Sequence, residues 1–289
     1  MKMSPALFDC GAFLAGGIFL LLSGCALRSA PDEAPAQKPP QSRQLVSRSI
    51  ATLPATQAVT TAHPLATQVA LRILDQGGAP IDAAIAAQMV LGLVEPQSSG
   101  VGGGSLIMQW DSAARKLTSY DGLAAAPAKV TAGLTIDVDG SVMKSEAVQR
   151  GGRSVGVPGT LAVLKQVHDY AGKLAWSALF APAIELAESG FPMPAYLHSL
   201  LSAPTAAGDH PDMVPLYFGA DGKVRAVGTT VTNAAYATTM RRIATRGPAG
   251  LWADDAGAAL VATAQRGIRP SLIAATDLVA YRAKPYASR

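Results

Sequence analysis

The chain has 289 residues, of which 49% are hydrophobic, enough for one substantial core behind a processed N-terminus. Aromatic residues make up only 6%, and the formal net charge is +4. No lysine or arginine cluster is interleaved with aromatics, which excludes a nucleic-acid groove.

The first segment reads as targeting sequence. Lys2 supplies a short positive region. Gly11 to Leu22 is an apolar run too short and too glycine-rich for an ordinary membrane span. It closes on Leu22-Ser23-Gly24-Cys25, which resembles a bacterial lipobox. The expectation is a signal peptide over residues 1–24 and lipidation at Cys25, with multiple acyl chains giving durable membrane anchoring. A plain secretory signal with a coincidental cysteine is the alternative, and the small residues before Cys25 argue against it. Ala26 follows where an aspartate is absent, which points to the outer membrane of a bacterial envelope, facing the periplasm. Cys10 falls in the removed segment, so the mature chain would carry no thiol pair, disulfide or cysteine metal site.

Residues 25–57 are rich in Pro, Ala, Gln and Ser (APDEAPAQKPPQSRQ) and lack apolar periodicity. They read as a flexible tether. Folded sequence is expected over residues 58–289, with Val59-Thr60-Thr61 as a short first strand. His63-Pro64 opens a helix, since proline suits the first turn. Leu65, Val69, Ile73 and Leu74 share a face, and Gly77-Gly78 stops it. A second helix from Ile81 to Leu93 carries Ile85, Met89 and Leu93 among alanines, the pattern of a helix buried on most sides. Glu95-Pro96 ends it.

Ser98 to Gly104 is a glycine-rich turn. Leu106–Trp110 and Leu117–Tyr120 read as a hairpin about Asp111–Ala114. Gly152 to Gly159 reads as a strand running into the start of a helix over Leu161–Tyr170. A further helix follows Pro182 and stops at Gly190. Asn233 caps one running through Tyr236, Met240 and Ile243, which ends before Gly247-Pro248. Helices and strands mix without a βαβ rhythm, so α+β is favoured over a parallel doubly wound sheet.

No local constellation amounts to an active site. The Gly100–Gly104 run lacks the Gly-Lys-Ser/Thr of a phosphate loop, and a strand rather than a helix follows it. A tight turn approached by another backbone is the better reading. The four histidines His63, His168, His198 and His210 show no ligand spacing. His168 beside Asp169 reads as a solvated helix face, and His63 as a residue that orients a helix start. Glu185 and Glu188 share a helix face without a second ligand pair. Ser98-Ser99 has no base beside it in sequence.

AHPLATQVALRILDQGGAPIDAAIAAQMVLGLVEPQSSGVGGGS, residues 62–105, resembles the N-terminal signature of the γ-glutamyltranspeptidases. The resemblance continues through SVGVPGTLAVLKQVHDYAGKLAWSALFAPAIELAESGFPM, RRIATRGPAGLW and ATDLVAYRAK. It implies an αββα sandwich of the N-terminal-nucleophile hydrolase type. In that family a precursor cleaves itself, and the new N-terminal threonine of the small subunit attacks a γ-glutamyl amide with its own α-amine as base. No metal or organic cofactor is required.

On this resemblance the chain is expected to supply the large-subunit portion alone. The sandwich would then be incomplete, no catalytic or metal-binding residue would lie within these positions, and a separately encoded small subunit would be the partner. Thr276, within ATDL, does not match the nucleophile motif. The family's carboxylate-binding arginine corresponds to Leu123 in Tyr120-Asp121-Gly122-Leu123-Ala124-Ala125-Ala126-Pro127, and leucine cannot clamp a carboxylate. Arg153 lies well beyond this block. Two functions stay open: acyl transfer or hydrolysis of γ-glutamyl compounds such as glutathione, and a non-catalytic, membrane-anchored lipoprotein.

Overall fold

A computed structural model describes residues 56–137, 139–144, 147–148, 151–203, 211–267 and 269–287. The readings on Cys10, Cys25 and most of the tether, like that on His210, lie outside the described residues.

The expected strand at Val59–Thr61 does not form; the segment is irregular. The Thr61 hydroxyl is engaged by the helix that follows, donating to the His63 carbonyl at 2.9 Å and sharing a 2.8 Å bond with Thr67 Oγ1. Helix α1 spans Pro64–Asp75 and buries Ala66, Val69, Ala70 and Ile73. Its N-cap is His63, whose Nδ1 accepts from the Leu65 amide at 3.2 Å. Gly77, at φ +85°, turns the chain out of the helix through a conformation that side chains resist.

Helix α2, Pro80–Val94, is buried around most of its circumference, with Ile85, Met89 and Leu93 in the core. Its first turn holds Asp82, fully buried, whose Oδ2 accepts from the amides of Ala79 (2.8 Å), Lys173 (2.9 Å) and Leu174 (3.0 Å). One carboxylate thereby joins the start of α2 to the far end of the next long helix.

Strands β1 (Ser105–Asp111) and β2 (Lys116–Gly122) form the expected antiparallel hairpin, with Ser105 opposite Gly122 and Asp111 opposite Lys116. The Gly152–Gly159 segment is not a strand. Gly152–Ser154 is a 3-10 turn, and only Val157 bridges, to Ala125. Helix α3, Thr160–Ala171, then lies against the hairpin; a side chain at Gly122 would enter Val163. A 3-10 turn over Trp176–Phe180 feeds α4, Ala181–Ser189.

A two-residue ladder pairs β3 (Phe191–Pro192) with β4 (Thr230–Val231), with α5 (Ala195–Leu201) and α6 (Val214–Tyr217) between them in sequence. Helix α7, Ala234–Arg246, starts on Asn233, whose Oδ1 accepts from the Tyr236 amide at 2.9 Å. Its Met240 and Ile243 join the core, and the Tyr236 hydroxyl donates to the Met89 carbonyl of α2 at 2.6 Å. Short helices α8 (Ala249–Trp252), α9 (Asp254–Ala264) and α10 (Ala275–Ala280) follow.

The last described element is β5, Lys284–Ala287. It pairs antiparallel with β2 to give a sheet in the order β1-β2-β5.

This sheet has two unlike faces. Ile107, Tyr120 and Gly122 point toward the helices, and Tyr120 is buried. Leu106, Met108 and Trp110 alternate onto the other face and are 66%, 71% and 60% exposed. The register places Leu117 opposite Trp110 on that face, and Tyr286, half exposed, opposite Ser119. The fold is thus mixed helix and sheet, with helices packed on one side of the larger sheet and an apolar surface on the other. Among the described residues, no helix is long and apolar enough to cross a membrane.

Candidate functional site

The segment leaving β2 is where blocks far apart in sequence converge. The Asp121 carboxylate accepts from the Leu123 amide at 2.8 Å, and the Tyr281 hydroxyl donates to the Leu123 carbonyl at 2.6 Å. Ala125 and Val157 exchange two backbone hydrogen bonds, at 3.1 and 2.8 Å. Asp277 caps α10 through Ala274 at 2.8 Å and accepts from the Ala128 amide at 3.1 Å with its other oxygen. Residues 123–126 are exposed while Pro127 is buried, so the segment is fixed by its backbone and presents its side chains outward. Burial, and then the nearby Asp121 charge, raise the Tyr281 hydroxyl above its ordinary pKa.

The glycine run lies against this segment. A Cβ on Gly104 would sit 2.4 Å from the Ala124 nitrogen and 2.6 Å from the Leu123 Cα, so only glycine fits. The Gly103 carbonyl accepts from the amides of Gly159 (2.9 Å) and Thr160 (3.2 Å) at the start of α3, and Ser105 Oγ meets Thr160 Oγ1 at 3.0 Å. The reading of this run as a turn approached by other backbone therefore holds at its C-terminal end. Its other end opens on a cleft of about 400 Å³ bordered by Gln88, Ser98, Ser99, Gly100, Gly102 and Ser105.

The other candidates separate. His63 is a helix cap, and burial lowers its pKa. His168 is not on a solvated face: its side chain is only 12% exposed, its ring stands edge-on to Trp176, and Nε2 lies 3.0 Å from the Leu174 carbonyl and 3.6 Å from Asp82 Oδ1. Its spacing from the buried Leu161 and Leu164 places it on the inner face of α3, where it meets Asp82 of α2. Glu188 bonds Arg241 across α4 and α7 at 2.6 Å, while Glu185 borders a separate hollow with Arg72. Arg153 donates to the Ile136 carbonyl at 2.9 Å and approaches Met143 Sδ, so its guanidinium is committed away from Leu123. Thr276 lies in the first turn of α10. Among the described residues, no group of three His, Cys, Asp or Glu side chains is placed to hold a metal ion. Asp277 and Tyr281 were missed as supports of the Leu123 segment; their only sequence signal is their place within the ATDLVAYRAK block.

The sequence model of the gamma-glutamyltranspeptidase family matches residues 66–288. The chain belongs to this family. Among its relatives are the glutathione hydrolase proenzyme of Bacillus subtilis (strain 168), 38% identical over 63% of this chain and 30% of the relative. Glutathione hydrolase 2 of Arabidopsis thaliana is 32% identical over 78% of this chain and 38% of the relative. The chain thus spans about a third of the length of these two curated relatives.

Among solved structures, the gamma-glutamyltranspeptidase from Pseudomonas nitroreducens superposes with a TM-score of 0.68 at 28% identity, covering 80% of this chain and 66% of that one. The Helicobacter pylori gamma-glutamyltranspeptidase, at 24% identity and a TM-score of 0.73, shares the fold over 82% of this chain and 67% of its own.

Proposed function

We propose that this γ-glutamyltranspeptidase-family chain supplies the large-subunit scaffold of an acyl hydrolase or transferase acting on γ-glutamyl compounds such as glutathione. The observation that supports this most is the one-sided sheet. Leu106, Met108, Trp110 and Tyr286 form an exposed apolar face on the side of the sheet away from the helices. Burying such side chains stabilises an assembly by roughly 1.5–3 kcal/mol each when burial is complete. In the αββα arrangement a second sheet covers this face.

That second sheet would bring the small-subunit threonine, whether joined to this chain or made separately. Its hydroxyl attacks the amide carbonyl and its α-amine takes the proton. The acyl group then passes to water or to an amino acid. This chain's part is to hold the Leu123 segment rigid through Gly104, Tyr281 and Asp277.

Leu123, half exposed at the position where the family's arginine clamps a carboxylate, weakens recognition of the glutamate end. The same residue favours the second reading, a non-catalytic relative retained for binding. Hydrolysis of a chromogenic γ-glutamyl anilide separates the two. The enzyme reading expects no turnover by the chain alone and turnover once it is co-expressed with the polypeptide encoded downstream. Turnover by the chain alone would place a nucleophile within it and overturn the scaffold reading. No turnover in either case leaves the non-catalytic reading.

Anchoring through Cys25 to the bacterial outer membrane is part of the proposal. Cys25→Ala is expected to release the protein to the soluble periplasmic fraction; unchanged membrane retention would refute the anchor.

A further inference from the structure

Between α1 and the start of α4 lies a hollow of about 250 Å³. Val69, Arg72 and Ile73 border it from one face of α1, and Ala181, Pro182 and Glu185 border it from α4. Val69 and Ile73 are buried and give the hollow an apolar floor, whereas Arg72 and Glu185 are exposed. Its volume falls below the roughly 300–1,000 Å³ of sites for drug-sized ligands, so the occupant is a small molecule.

The two charges here depart from what surrounds them. On α7, Arg241 pairs with Glu188, Arg242 with Asp255 and Arg246 with Asp254. Glu188 stands three residues beyond Glu185 on the same helix, and Arg241 closes on it at 2.6 Å. Among the described residues, Arg72 and Glu185 make no side-chain hydrogen bond or ion pair, either with each other or with a neighbour. Opposite charges that border one hollow without closing on each other leave room for a ligand that carries the complementary pair. A plain anion or cation would meet one attractive and one repulsive charge. A zwitterion meets two attractive ones, since a guanidinium donates to a carboxylate and a carboxylate accepts from an ammonium. The apolar floor matches an aliphatic side chain.

We propose that this hollow binds a free aliphatic amino acid as its zwitterion, the carboxylate on Arg72, the ammonium on Glu185 and the side chain over Val69 and Ile73. The site shares no residue with the Leu123 segment and does not depend on the acyl-transfer reading.

The test is an NMR titration of the full ¹⁵N-labelled chain with L-leucine, N-acetyl-L-leucine, which lacks the ammonium, and L-leucinamide, which lacks the carboxylate. Exposed charges each contribute little, so the expected Kd for leucine is on the order of millimolar. Its shifts should saturate and centre on residues 69–76 and 178–185, which contain the border of the hollow. Each blocked analogue should bind about fivefold more weakly. Arg72→Gln should weaken leucine by about the same factor and leave leucinamide unchanged, because the lost charge has no carboxylate to meet there. Glu185→Gln should likewise weaken leucine and leave N-acetyl-leucine unchanged, and it carries the test should the Arg72 variant not fold. Shifts that do not saturate, shifts centred elsewhere, blocked analogues that bind as well as leucine, or variants that bind leucine as the native chain does would overturn the proposal.

Discussion

Removing the Asp82 carboxylate should unfasten the scaffold at one point. Its Oδ2 is the acceptor for three backbone amides drawn from two places, Ala79 before α2 and Lys173-Leu174 after α3. Asp82→Ala leaves those donors without this acceptor. Each bond to a charged group is worth about 1.5–3 kcal/mol, but the buried charge itself is costly to desolvate. That cost is real here, because Asp82 Oδ1 has no hydrogen-bond partner and faces His168 Nε2 at 3.6 Å. The net loss on breaking such a buried arrangement is about 3–5 kcal/mol.

For a folded unit of this size, such a loss lowers Tm by roughly 6–20 °C. Asp82→Asn keeps an oxygen for the three amides and loses the charge that strengthens them, so it should cost less, about 1–2 kcal/mol. Urea and thermal unfolding followed by circular dichroism would measure both variants. A loss below about 1 kcal/mol for Asp82→Ala, or equal losses for the two variants, would refute the reasoning.

The glycine run gives a paired expectation: Gly104→Ala forces backbone apart and should cost about 2–3 kcal/mol, whereas Gly102→Ala should stay within about 0.5 kcal/mol in the same urea titration. Burial holds the His63 pKa below its ordinary value, so the folded state resists protonation there. The stabilising difference is fully present above the ordinary imidazole pKa and is lost as pH falls through the depressed folded value. The urea midpoint should therefore fall between pH 7 and pH 5 more steeply for the native chain than for His63→Ser, which can still cap α1. Parallel profiles would contradict this. Tyr281→Phe removes the donor to the Leu123 carbonyl and should cost about 0.5–1.5 kcal/mol, with faster amide hydrogen exchange around Leu123 as its local signature.

The elements that could be read from sequence are those whose signals are local. His63-Pro64 and Gly77 bracket α1, Asn233 starts α7, and the apolar wealth of α2 marks it as buried; each feature acts within a turn or two of itself. Val59–Thr61 has strand-forming residues, yet its hydroxyl chemistry serves the start of α1. Gly152–Val157 has the composition of a strand, but a Cβ at Gly152 would fall 1.6 Å from the Ala264 carbonyl oxygen, and that close contact accompanies a turn rather than a ladder. Strand β5 is four residues long and contains a proline, and its partner β2 is distant in sequence.

The candidate site follows the same division. The close approach of backbone at Gly104 was legible because the missing Gly-Lys-Ser/Thr and the strand that follows leave a tight turn as the reading of the run. The supports Tyr281 and Asp277 were not, since nothing near them in sequence indicates the Leu123 segment they hold. His168 is a different case: its four- and seven-residue spacing from the buried Leu164 and Leu161 puts it on the inner face of α3, and the neighbouring exposed Asp169 hides that signal.

The scaffold role requires the outer face of the sheet to be a seat for further polypeptide. Trp110 reports on that seat directly, because it is 60% exposed on the strand at the sheet's edge. The measurement is the tryptophan emission of the chain before and after addition of the polypeptide encoded downstream, compared with the Trp110→Phe variant to isolate this residue. The account predicts a blue shift and loss of quenching by iodide that are absent in Trp110→Phe. Emission and quenching unchanged, while the two polypeptides co-elute, would contradict it.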